Sequence, residues 1–301
     1  MPIFSDRLST LVTKQNYPQS TLYVVATPIG NLADISLRAL HVLNLVDVIA
    51  CEDTRHSKIL LDRYGINKPL LAAHEHNELL AAQKIIQHLH QGARVALISD
   101  AGTPGIADPG ARIVAKVRAE NFSVVPLPGA SAILSALAVA GELLFASQGA
   151  FTFIGFLPSK ARQREAALYA LLHHPYPLVL YEAPHRLHAT LTALERCFPG
   201  QRQLLIGREV TKQFECFQQT SIAQASVWLS THAQHIQGEF VLIVEGADVG
   251  ATSSLSIEAG KLLALLLQEV GPAAAAKVTA AITGISRQTL YAQALALKES
   301  R

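Results

Sequence analysis

The sequence has few cysteines and few charged side chains. Its three cysteines, Cys51, Cys197 and Cys216, lie far apart among 301 residues. This spacing provides no close pair of metal ligands and argues against a zinc site or a disulfide framework, so we expect reduced thiols in the cytoplasm. Charged residues make up 16% of the chain, and the formal net charge is +2. A nucleic-acid partner would therefore have to be recognised by local basic patches.

Long uninterrupted apolar runs are also absent. Residues 1–20 mix charged and polar side chains without an apolar core, which argues against a signal peptide and predicts a frayed N-terminal tail. Residues 129–157 carry a single charged side chain, Glu142, but Gly141 and residues 147–149 interrupt the stretch. We expect a buried helix, a link and a strand there, and no membrane contact.

Half of the residues are hydrophobic, which allows a large core. Short apolar runs alternate with helical patterns in the first part of the chain. They predict strands at 22–26, 48–51, 94–99 and 123–126, and helices at 35–45, 57–64, 78–90 and 111–120. This alternation is typical of a parallel sheet with helices on both faces. We therefore predict an N-terminal α/β domain over residues 21–140.

A second α/β domain is predicted over residues 150–247. Its expected strands are 151–155, 178–182, 203–209 and 240–245, and its expected helices are 161–173, 186–197 and 221–234. A linker rich in small residues then leads to a helical module, 255–301. In that module Gly284 is a suitable helix stop and Ser286 a suitable N-cap, so two helices should meet at a short turn. The turn either presents Arg287, Gln288 and Tyr291 to nucleic acid or only packs against its neighbour.

Three loops rich in glycine and proline follow predicted strands, at residues 27–31, 99–110 and 126–131. Glycine permits positive φ angles and close approach of a ligand, whereas proline stiffens a loop. In open α/β sheets, ligands bind at the carboxyl ends of strands, so we expect the three loops to form one crevice. The chain contains neither GxGxxG nor GxxxxGK[ST], which argues against NAD enzymes and P-loop NTPases.

Two clusters of ionisable residues stand out in a chain with so little charge. In the first, Glu52, Asp53 and Arg55 either bind a ribose and orient its hydroxyl or form a surface ion-pair network. The second, residues 74–77, contains two histidines two positions apart. No third ligand lies near them in the sequence, so we expect hydrogen bonding in a pocket and no metal site.

Nine motifs follow one another between residues 21 and 246. They are TPIGN (27–31), CEDTRHS (51–57), HEHNE (74–78), SDAGTPGIADPG (99–110), PLPGASA (126–132), GFLPSK (155–160), YEAPHRL (181–187), GREVTKQFE (207–215) and GEFVLIVEG (238–246). In this order they closely resemble the ribosomal RNA small subunit methyltransferase I family, the cytidine 2'-O-methyltransferases of the tetrapyrrole methylase superfamily. The three glycine-rich loops also suit relatives that methylate porphyrins or diphthine precursors, whereas EDTRHS, YEAPHRL and GREVTKQFE point to the ribosomal RNA branch. The C-terminal module resembles the helical module that the family often carries.

The resemblance implies an α/β fold of two tetrapyrrole-methylase-type domains, with the cofactor cleft between them and a small C-terminal helical module. It implies S-adenosylmethionine as cofactor and the 2'-hydroxyl of a cytidine in small-subunit (16S) ribosomal RNA, free or within the small ribosomal subunit, as acceptor. It also implies a homodimer. The cofactor contacts that it implies are Pro28, Gly30, Asn31, Ser99, Asp100, Gly102, Thr103, Pro104, Asp108, Pro109, Gly129, Ser131, Tyr181 and Glu182. For Asp100 and Asp108 the alternative is a turn-capping role.

Methyl transfer to a ribose hydroxyl requires alignment, desolvation and an acceptor for the proton. The candidate catalytic residues are Glu52, Asp53, Arg55, His76, Glu209 and Lys212, with Arg208 as a further electrostatic partner, and the sequence singles out no one base. Phosphate contacts are predicted from basic residues after the GFLP turn, on the YEAPHRL motif and in the tail. These are Lys160, Arg162, Arg164, Arg186 and Arg287, with His185 close by.

Two other functions fit parts of the pattern. One is a tetrapyrrole or other small-molecule methylase of the same superfamily. The other is a ligand-sensing regulator that binds nucleic acid through the helical module. The regulator would need no ionisable cluster beside its ligand crevice, and this chain has one.

Overall fold

A computed structural model describes residues 6–231, 237–247, 253–283 and 285–299. The chain divides into two compact units. The larger comprises Met1–Tyr169 and Tyr176–Glu245, and the smaller comprises Ala170–Pro175 and Gly246–Arg301. The larger unit contains two five-stranded sheets.

The first sheet is parallel throughout, as the sequence predicts. Its strands are β1 Thr21–Val25, β2 Val48–Cys51, β3 Leu70–Ala72, β4 Arg94–Ile98 and β5 Ser123–Leu127, in the order β3-β2-β4-β1-β5. The accompanying helices are α2 Leu37–Leu45, α3 Thr54–Arg63, α4 Glu78–His90 and α5 Ala111–Ala119. The sequence pattern did not predict strand β3, because this strand has only three residues.

Successive side chains of β1 enter two different cores. Tyr23 packs in a cluster with Leu43 of α2, whereas Leu22 packs in a second cluster with Ile85 of α4 and Ile113 of α5. Because side chains alternate across a strand, these two clusters lie on opposite faces of the sheet. Helices therefore cover both faces of this sheet, as predicted.

The second sheet is mixed. Its strands are β6 Thr152–Phe156, β7 Leu178–Glu182, β8 Gln203–Arg208, β9 Cys216–Ser221 and β10 Phe240–Val244, in the order β6-β7-β10-β8-β9. Only β6 and β7 pair in parallel, and the first residue of β10, Phe240, lies opposite Glu182 of β7 and Arg208 of β8. The start of β10 therefore lies where β7 and β8 end. Strand β9 was not predicted, because its polar sequence CFQQTS contains no apolar run.

Helices of the second half comprise α8 Ala161–Ala170, α9 Pro184–Cys197 and α10 Ile222–Thr231. The weakly charged stretch forms two helices, α6 Ala132–Ala138 and α7 Glu142–Phe145, followed by β6, in agreement with the prediction of a helix, a link and a strand. Ile133 of α6 belongs to the same buried cluster as Val179 and Val241 of the second sheet. Within the described part of the chain, no helix is long and apolar enough to span a membrane.

The prediction of a frayed N-terminal tail is wrong for part of the tail. Residues Asp6–Thr13 form helix α1, and Val12 is buried. The absence of an apolar core argued only against a signal peptide. One apolar side chain for each helical turn is enough to dock a short helix.

The smaller unit contains three helices, α11 Ser253–Glu269, α12 Pro272–Thr283 and α13 Arg287–Glu299. They pack around a core of small and aliphatic side chains that includes Leu263, Ala276 and Leu290. The predicted stop residue Gly284 lies outside the described residues. Helices α12 and α13 are nevertheless joined by a short connection, as the sequence indicated.

Candidate functional site

The three glycine-rich loops of the first half lie against one another. Backbone N–H groups and carbonyl oxygens of Thr27 and Gly102 form two reciprocal hydrogen bonds, of 2.9 and 3.0 Å. The hydroxyl of Thr103 donates to the carbonyl of Ala130 at 3.3 Å, which ties the second loop to the third. The predicted crevice at the carboxyl ends of β1, β4 and β5 is therefore built from all three loops.

Gly102 is the residue on which this packing depends. Its φ angle is +80°, and a Cβ atom at this position would lie 3.2 Å from Cγ2 of Ile29. The hydroxyl of Ser99 donates to the carbonyl of Gly102 at 3.0 Å and fixes the peptide. A left-handed backbone with no free space beside it suits glycine alone.

A cavity of about 460 Å³ opens beside these loops. The first half contributes Ile29, residues 101–103, 106–108 and 131–132, and the second half contributes Phe156, residues 181–185, Val210 and residues 239–241. Six predicted cofactor contacts line it: Gly102, Thr103, Asp108, Ser131, Tyr181 and Glu182. None of the described residues in its wall is a lysine or an arginine. A cavity of this size and lining accommodates a small molecule with an aromatic part and positive charge.

The other predicted cofactor residues do not line the cavity. They are Pro28, Gly30, Asn31, Ser99, Asp100, Pro104, Pro109 and Gly129. Two of them shape the adjoining loops: Asn31 caps a short 3-10 helix by accepting from the N–H of Ala33 at 3.0 Å, and Gly129 leaves no room for a Cβ, which would lie 2.7 Å from Cβ of Ala26. These two residues therefore shape the loops that form the cavity wall and do not line the cavity themselves.

Several lining residues were not predicted as site residues. They include Phe156, Phe240 and Glu239, whereas His185, expected beside the phosphate contacts, also lines the cavity. Phe156 belongs to the motif GFLPSK, and Glu239 and Phe240 belong to GEFVLIVEG. Motif membership was the available signal, but a phenylalanine in a strand resembles an ordinary core residue.

Negative charge and burial govern the ionisation of this region. Burial raises the pKa of Asp108, and the charges of Asp100 and Glu239 add to the increase, against a hydrogen bond from Ser99. Burial and the Asp108 charge raise the pKa of Tyr181 to about 12, so its hydroxyl stays protonated. Three carboxyl side chains, those of Asp108, Glu182 and Glu239, therefore line the cavity, and the surroundings of Asp108 raise its pKa.

The first ionisable cluster separates into two roles. Asp53 caps α3: its Oδ1 accepts from the N–H of Arg55 at 2.8 Å, and its Oδ2 lies 3.1 Å from Nη2 of the same residue. These hydrogen bonds hold the pKa of Asp53 at about 2. For Glu52, in contrast, burial together with the charges of Asp100 and Asp108 raises the pKa. Capping by Asp53 also makes α3 begin at Thr54, three residues before the predicted start.

The second cluster connects the glycine-rich loop to α4. Asn77 accepts from the N–H of His74 at 2.9 Å, and the buried carboxylate of Glu78 accepts from the N–H of Gly110 at 2.8 Å. His76 is exposed. In the described ranges, no three ligand-type side chains are grouped to hold a metal ion. The motif therefore anchors the loop at residues 99–110.

The YEAPHRL motif contains a buried ionic network. Oε1 of Glu182 lies 3.1 Å from Nε of Arg186 and accepts from the N–H of Ala183 at 2.9 Å. Oε2 accepts from the hydroxyl of Thr190 at 2.5 Å, and Nη2 of Arg186 donates to the carbonyl of Leu157. The carboxylate of Glu182 is thus saturated by protein groups, although it lies at the cavity wall.

The expected exposed basic face is wrong for two of its members. Arg186 serves the network around Glu182, and Arg164 is only 6% exposed and donates to the carbonyl of Ser159 at 3.3 Å. Carbonyl groups of residues 157–159 accept from both arginines, and spacing in the sequence does not reveal these contacts. Lys160 and Arg162 are exposed, as is Arg287 in the smaller unit.

Glu209 and Lys212 lie behind the cavity wall. Nζ of Lys212 is 2.8 Å from Oε1 of Glu209 and 3.1 Å from Oε2 of Glu239. Of these three residues only Glu239 lines the cavity. The sequence grouped Glu209 and Lys212 correctly but did not connect them with Glu239.

Comparison with known proteins places the chain in a family. A family profile described as "Tetrapyrrole (Corrin/Porphyrin) Methylases" matches residues 21–226, and one described as "RsmI C-terminal HTH domain" matches residues 253–298. Proteins named ribosomal RNA small subunit methyltransferase I from Xylella fastidiosa and Pseudomonas aeruginosa are each 44% identical to it, over 90% and 91% of this chain and 97% and 96% of their own. The one from Neisseria meningitidis is 43% identical over 92% of this chain and 94% of its own. The chain belongs to the ribosomal RNA small subunit methyltransferase I family.

Solved structures place this methyltransferase in the same fold. The methyltransferase CobJ matches with a TM-score of 0.56 and 19% identity, over 75% of this chain and 94% of that one. The cobalt precorrin-4 methyltransferase CbiF matches with a TM-score of 0.54 and 16% identity, over 75% and 95% of the two chains. The predicted tetrapyrrole-methylase fold is therefore confirmed.

Proposed function

We propose that this methyltransferase transfers a methyl group from S-adenosylmethionine to the 2'-hydroxyl of a cytidine ribose in small-subunit (16S) ribosomal RNA. The observation that carries the proposal is the cavity shared by the three glycine-rich loops and the second sheet, in a chain whose relatives are named for ribosomal RNA methylation. The cytidine and its 2'-hydroxyl are inferred from the motifs at residues 51–57, 181–187 and 207–215.

The cavity suits the proposed cofactor. S-adenosylmethionine, when bound, supplies a methyl group activated by a sulfonium. Asp108 and Glu239 face the cavity with carboxylates, which favour the positive sulfonium and amino groups of such a ligand. Phe156, Ile106 and Val241 provide apolar surface for an adenine ring. Thr103 and Ser131 add hydroxyl groups that can orient its polar edges.

We propose Glu52 as the acceptor of the proton that leaves the ribose hydroxyl. Glu52 does not itself line the cavity. The N–H of its neighbour Asp53 donates to Oδ1 of Asp100 in the second glycine-rich loop at 3.3 Å. Burial, with the charges of Asp100 and Asp108, raises the pKa of Glu52. A carboxylate with a raised pKa is a better base than one held at about 2, as Asp53 is. Asp53 and Arg55 then hold the start of α3, and the exposed Arg55 guanidinium faces solvent where RNA can approach.

Phosphate contacts are proposed for Lys160 and Arg162 in the larger unit and for Arg287 in the smaller one. All three are exposed. Such contacts position RNA without reading its sequence. We further propose that the protein works in the cytoplasm, where its three free cysteines remain reduced.

The reaction is tested with purified protein and radiolabelled S-adenosylmethionine. Small ribosomal subunits and free 16S RNA, both lacking the modification, and a tetrapyrrole precursor are offered separately, and the labelled atom is mapped. Label on a cytidine ribose supports the proposal and shows which form of the substrate is used. Label only on a tetrapyrrole precursor would identify a small-molecule methylase, and cofactor binding without any transfer would favour a ligand-sensing regulator. Either result would overturn the proposal.

Glu52→Gln is expected to lower kcat about 100-fold while the cofactor dissociation constant changes less than about twofold, because the amide cannot accept a proton. Turnover of the unchanged protein should also fall as the pH drops through the raised pKa of Glu52, since the protonated carboxyl cannot act as a base. Single-turnover rates of methyl transfer measure both the loss of activity in the variant and the pH dependence of the unchanged protein. The control is Asp62→Asn, which removes an exposed carboxylate of α3. Normal turnover in Glu52→Gln would exclude Glu52 as the base.

We also propose a homodimer that forms through the surface of α6 and α7. This surface exposes Leu134, Val139, Phe145 and Phe151, with Phe145 87% exposed. Residues 121–159 contain one charged side chain, Glu142. Two copies can therefore face each other across a two-fold axis with little repulsion between like charges.

Phe145→Asp is expected to convert the dimer into a monomer, because it places a charge at the most exposed of these four apolar side chains. Sedimentation velocity at several protein concentrations measures the change. Ile59→Asp alters a similarly exposed aliphatic side chain on α3, 63% exposed, and should leave the dimer intact. A dimer that persists in Phe145→Asp would move the interface elsewhere.

A further inference from the structure

The turn after β8 has an unusual backbone. Glu209 and Thr211 adopt positive φ angles of 50° and 69°, which are uncommon outside glycine and unfavourable for a β-branched residue. Hydrogen bonds within the turn hold it: the N–H of Lys212 donates to the carbonyl of Glu209 at 2.9 Å, and the N–H of Thr211 donates to Oε2 of Glu215 at 2.6 Å. Strain of this kind persists where the surrounding contacts require it. The same turn carries Lys212, whose Nζ contacts Oε2 of the lining residue Glu239.

Lys212 holds two carboxylates together. Its Nζ contacts Oε1 of Glu209 at 2.8 Å and Oε2 of Glu239 at 3.1 Å. Glu209 and Glu239 are also joined directly, since the N–H of Glu239 donates to Oε1 of Glu209 at 3.0 Å and the N–H of Glu209 donates to the carbonyl of Glu239 at 2.9 Å. We call this arrangement of Glu209, Lys212 and Glu239 the lysine clasp.

Two glycines leave space for the clasp. A Cβ atom on Gly238 would lie 2.1 Å from Oε1 of Glu209. A Cβ atom on Gly30 would lie 2.3 Å from Cγ of Lys212, so the lysine stem passes directly over the loop that follows β1. The clasp therefore touches both halves of the larger unit, as the cavity does.

The ionisation of Lys212 and Glu209 argues against proton transfer by these two residues. Burial alone would lower the pKa of Lys212, but hydrogen bonds and charges from Glu209 and Glu239 raise it above its ordinary value. Burial alone would raise the pKa of Glu209, but bonds from Lys212 and the Glu239 N–H, with the charge of Arg208, lower it. A protonated lysine cannot accept a proton, and a carboxylate with a lowered pKa is a weak base.

We propose that Lys212 is a positioning residue that keeps the Glu239 carboxylate at the cavity wall, where it contacts the bound cofactor. The proposal rests on S-adenosylmethionine as the ligand of the cavity. Glu239 needs such support, because its side chain is 79% exposed and would otherwise sample several rotamers. Lys212 itself does not line the cavity and so acts on the ligand through Glu239.

A double-mutant cycle tests this role through S-adenosylmethionine binding, measured by calorimetry without RNA. Lys212→Met and Glu239→Gln should each weaken binding about tenfold, and the double variant should also bind about tenfold more weakly, because both changes remove the same contact. Lys212→Arg, which keeps a cation, should restore binding to within about threefold. Lys58→Met removes an exposed lysine that pairs with Asp62 at 2.9 Å and should leave binding unchanged.

Independent effects that multiply to about 100-fold in the double variant would overturn the proposal, as would unchanged binding in Lys212→Met. Melting temperatures show whether each variant is folded, and Lys212→Gln replaces Lys212→Met if the latter does not fold. If the unchanged protein binds the cofactor but does not methylate ribosomal RNA, the proposed acceptor is refuted. The binding measurements then still test the role of Lys212. No binding by the unchanged protein would overturn both proposals.

Discussion

Glu182→Ala is expected to lower the free energy of unfolding by about 3 kcal/mol or more, because it leaves a partly buried arginine without its counter-charge. The carboxylate of Glu182 is 1% exposed and lies 3.1 Å from Nε of Arg186, whose side chain is 21% exposed. The substitution also removes the acceptor for the N–H of Ala183 and the hydroxyl of Thr190. The buried hydroxyl of Thr190 and the partly buried N–H of Ala183 would then both lose this acceptor.

Urea denaturation of the variant and of a matched control measures the effect. Glu165→Ala removes a carboxylate that also lies 3.1 Å from an arginine, Arg196, but the two side chains are 31% and 67% exposed. Exposed pairs of this kind contribute about 0 to 1 kcal/mol. Equal losses in the two variants would contradict the role of burial, and a small loss in Glu182→Ala would show that Arg186 finds another partner.

Gly102→Val is expected to weaken binding of S-adenosylmethionine about 100-fold, or roughly 2.8 kcal/mol. The backbone at Gly102 has a φ angle of +80°, and the new side chain would press on Ile29, which lines the cavity. Either the loop at residues 99–110 or the loop at residues 27–31 has to move. Both movements deform the wall that the ligand contacts.

Gly65→Val provides the control for backbone strain. Gly65 has a similar φ angle of +70°, but a Cβ atom there meets nothing within 4 Å. Both variants should share the cost of a positive φ angle, of the order of 1 to 2 kcal/mol, and Gly102→Val should lose further stability through its contact with Ile29. Only Gly102→Val should lose cofactor affinity in calorimetric titrations. Unchanged cofactor affinity in Gly102→Val would show that the cavity wall accommodates the valine without weakening binding.

Elements with strong local patterns could be predicted from the sequence. The apolar runs of β1, β2 and β4 and the periodic helices α4 and α5 were found within one or two residues of their observed bounds. Strands β3 and β9 were not, because one is very short and the other consists mostly of polar residues at the edge of its sheet. Pairing with a neighbour, which depends on the tertiary fold, makes these segments into strands.

The residues of the site divide in the same way: a local sequence pattern reveals some of them, and only the tertiary structure reveals the others. The loops that contain Gly102, Thr103 and Ser131 were expected to form a crevice because they follow strands, and these three residues, named as cofactor contacts from the family resemblance, line the cavity. The buried state of Arg164 and Arg186 was not predictable, since it depends on carbonyl groups and a carboxylate that only the folded chain brings near them. Glu239 was also missed, because a single exposed carboxylate has no local pattern.

The position of Glu239 is fixed by strand register and not by the chain that leads to it. Phe240, its immediate neighbour, pairs with Glu182 and Arg208 in the middle of the second sheet. Any segment that leaves α10 and enters β10 in this register delivers a residue to the same point of the cavity. The part of the connection that precedes Gln237 and Gly238 should therefore tolerate insertions and deletions that the glycine-rich loops cannot, and tags or reporter peptides placed there should preserve ligand binding.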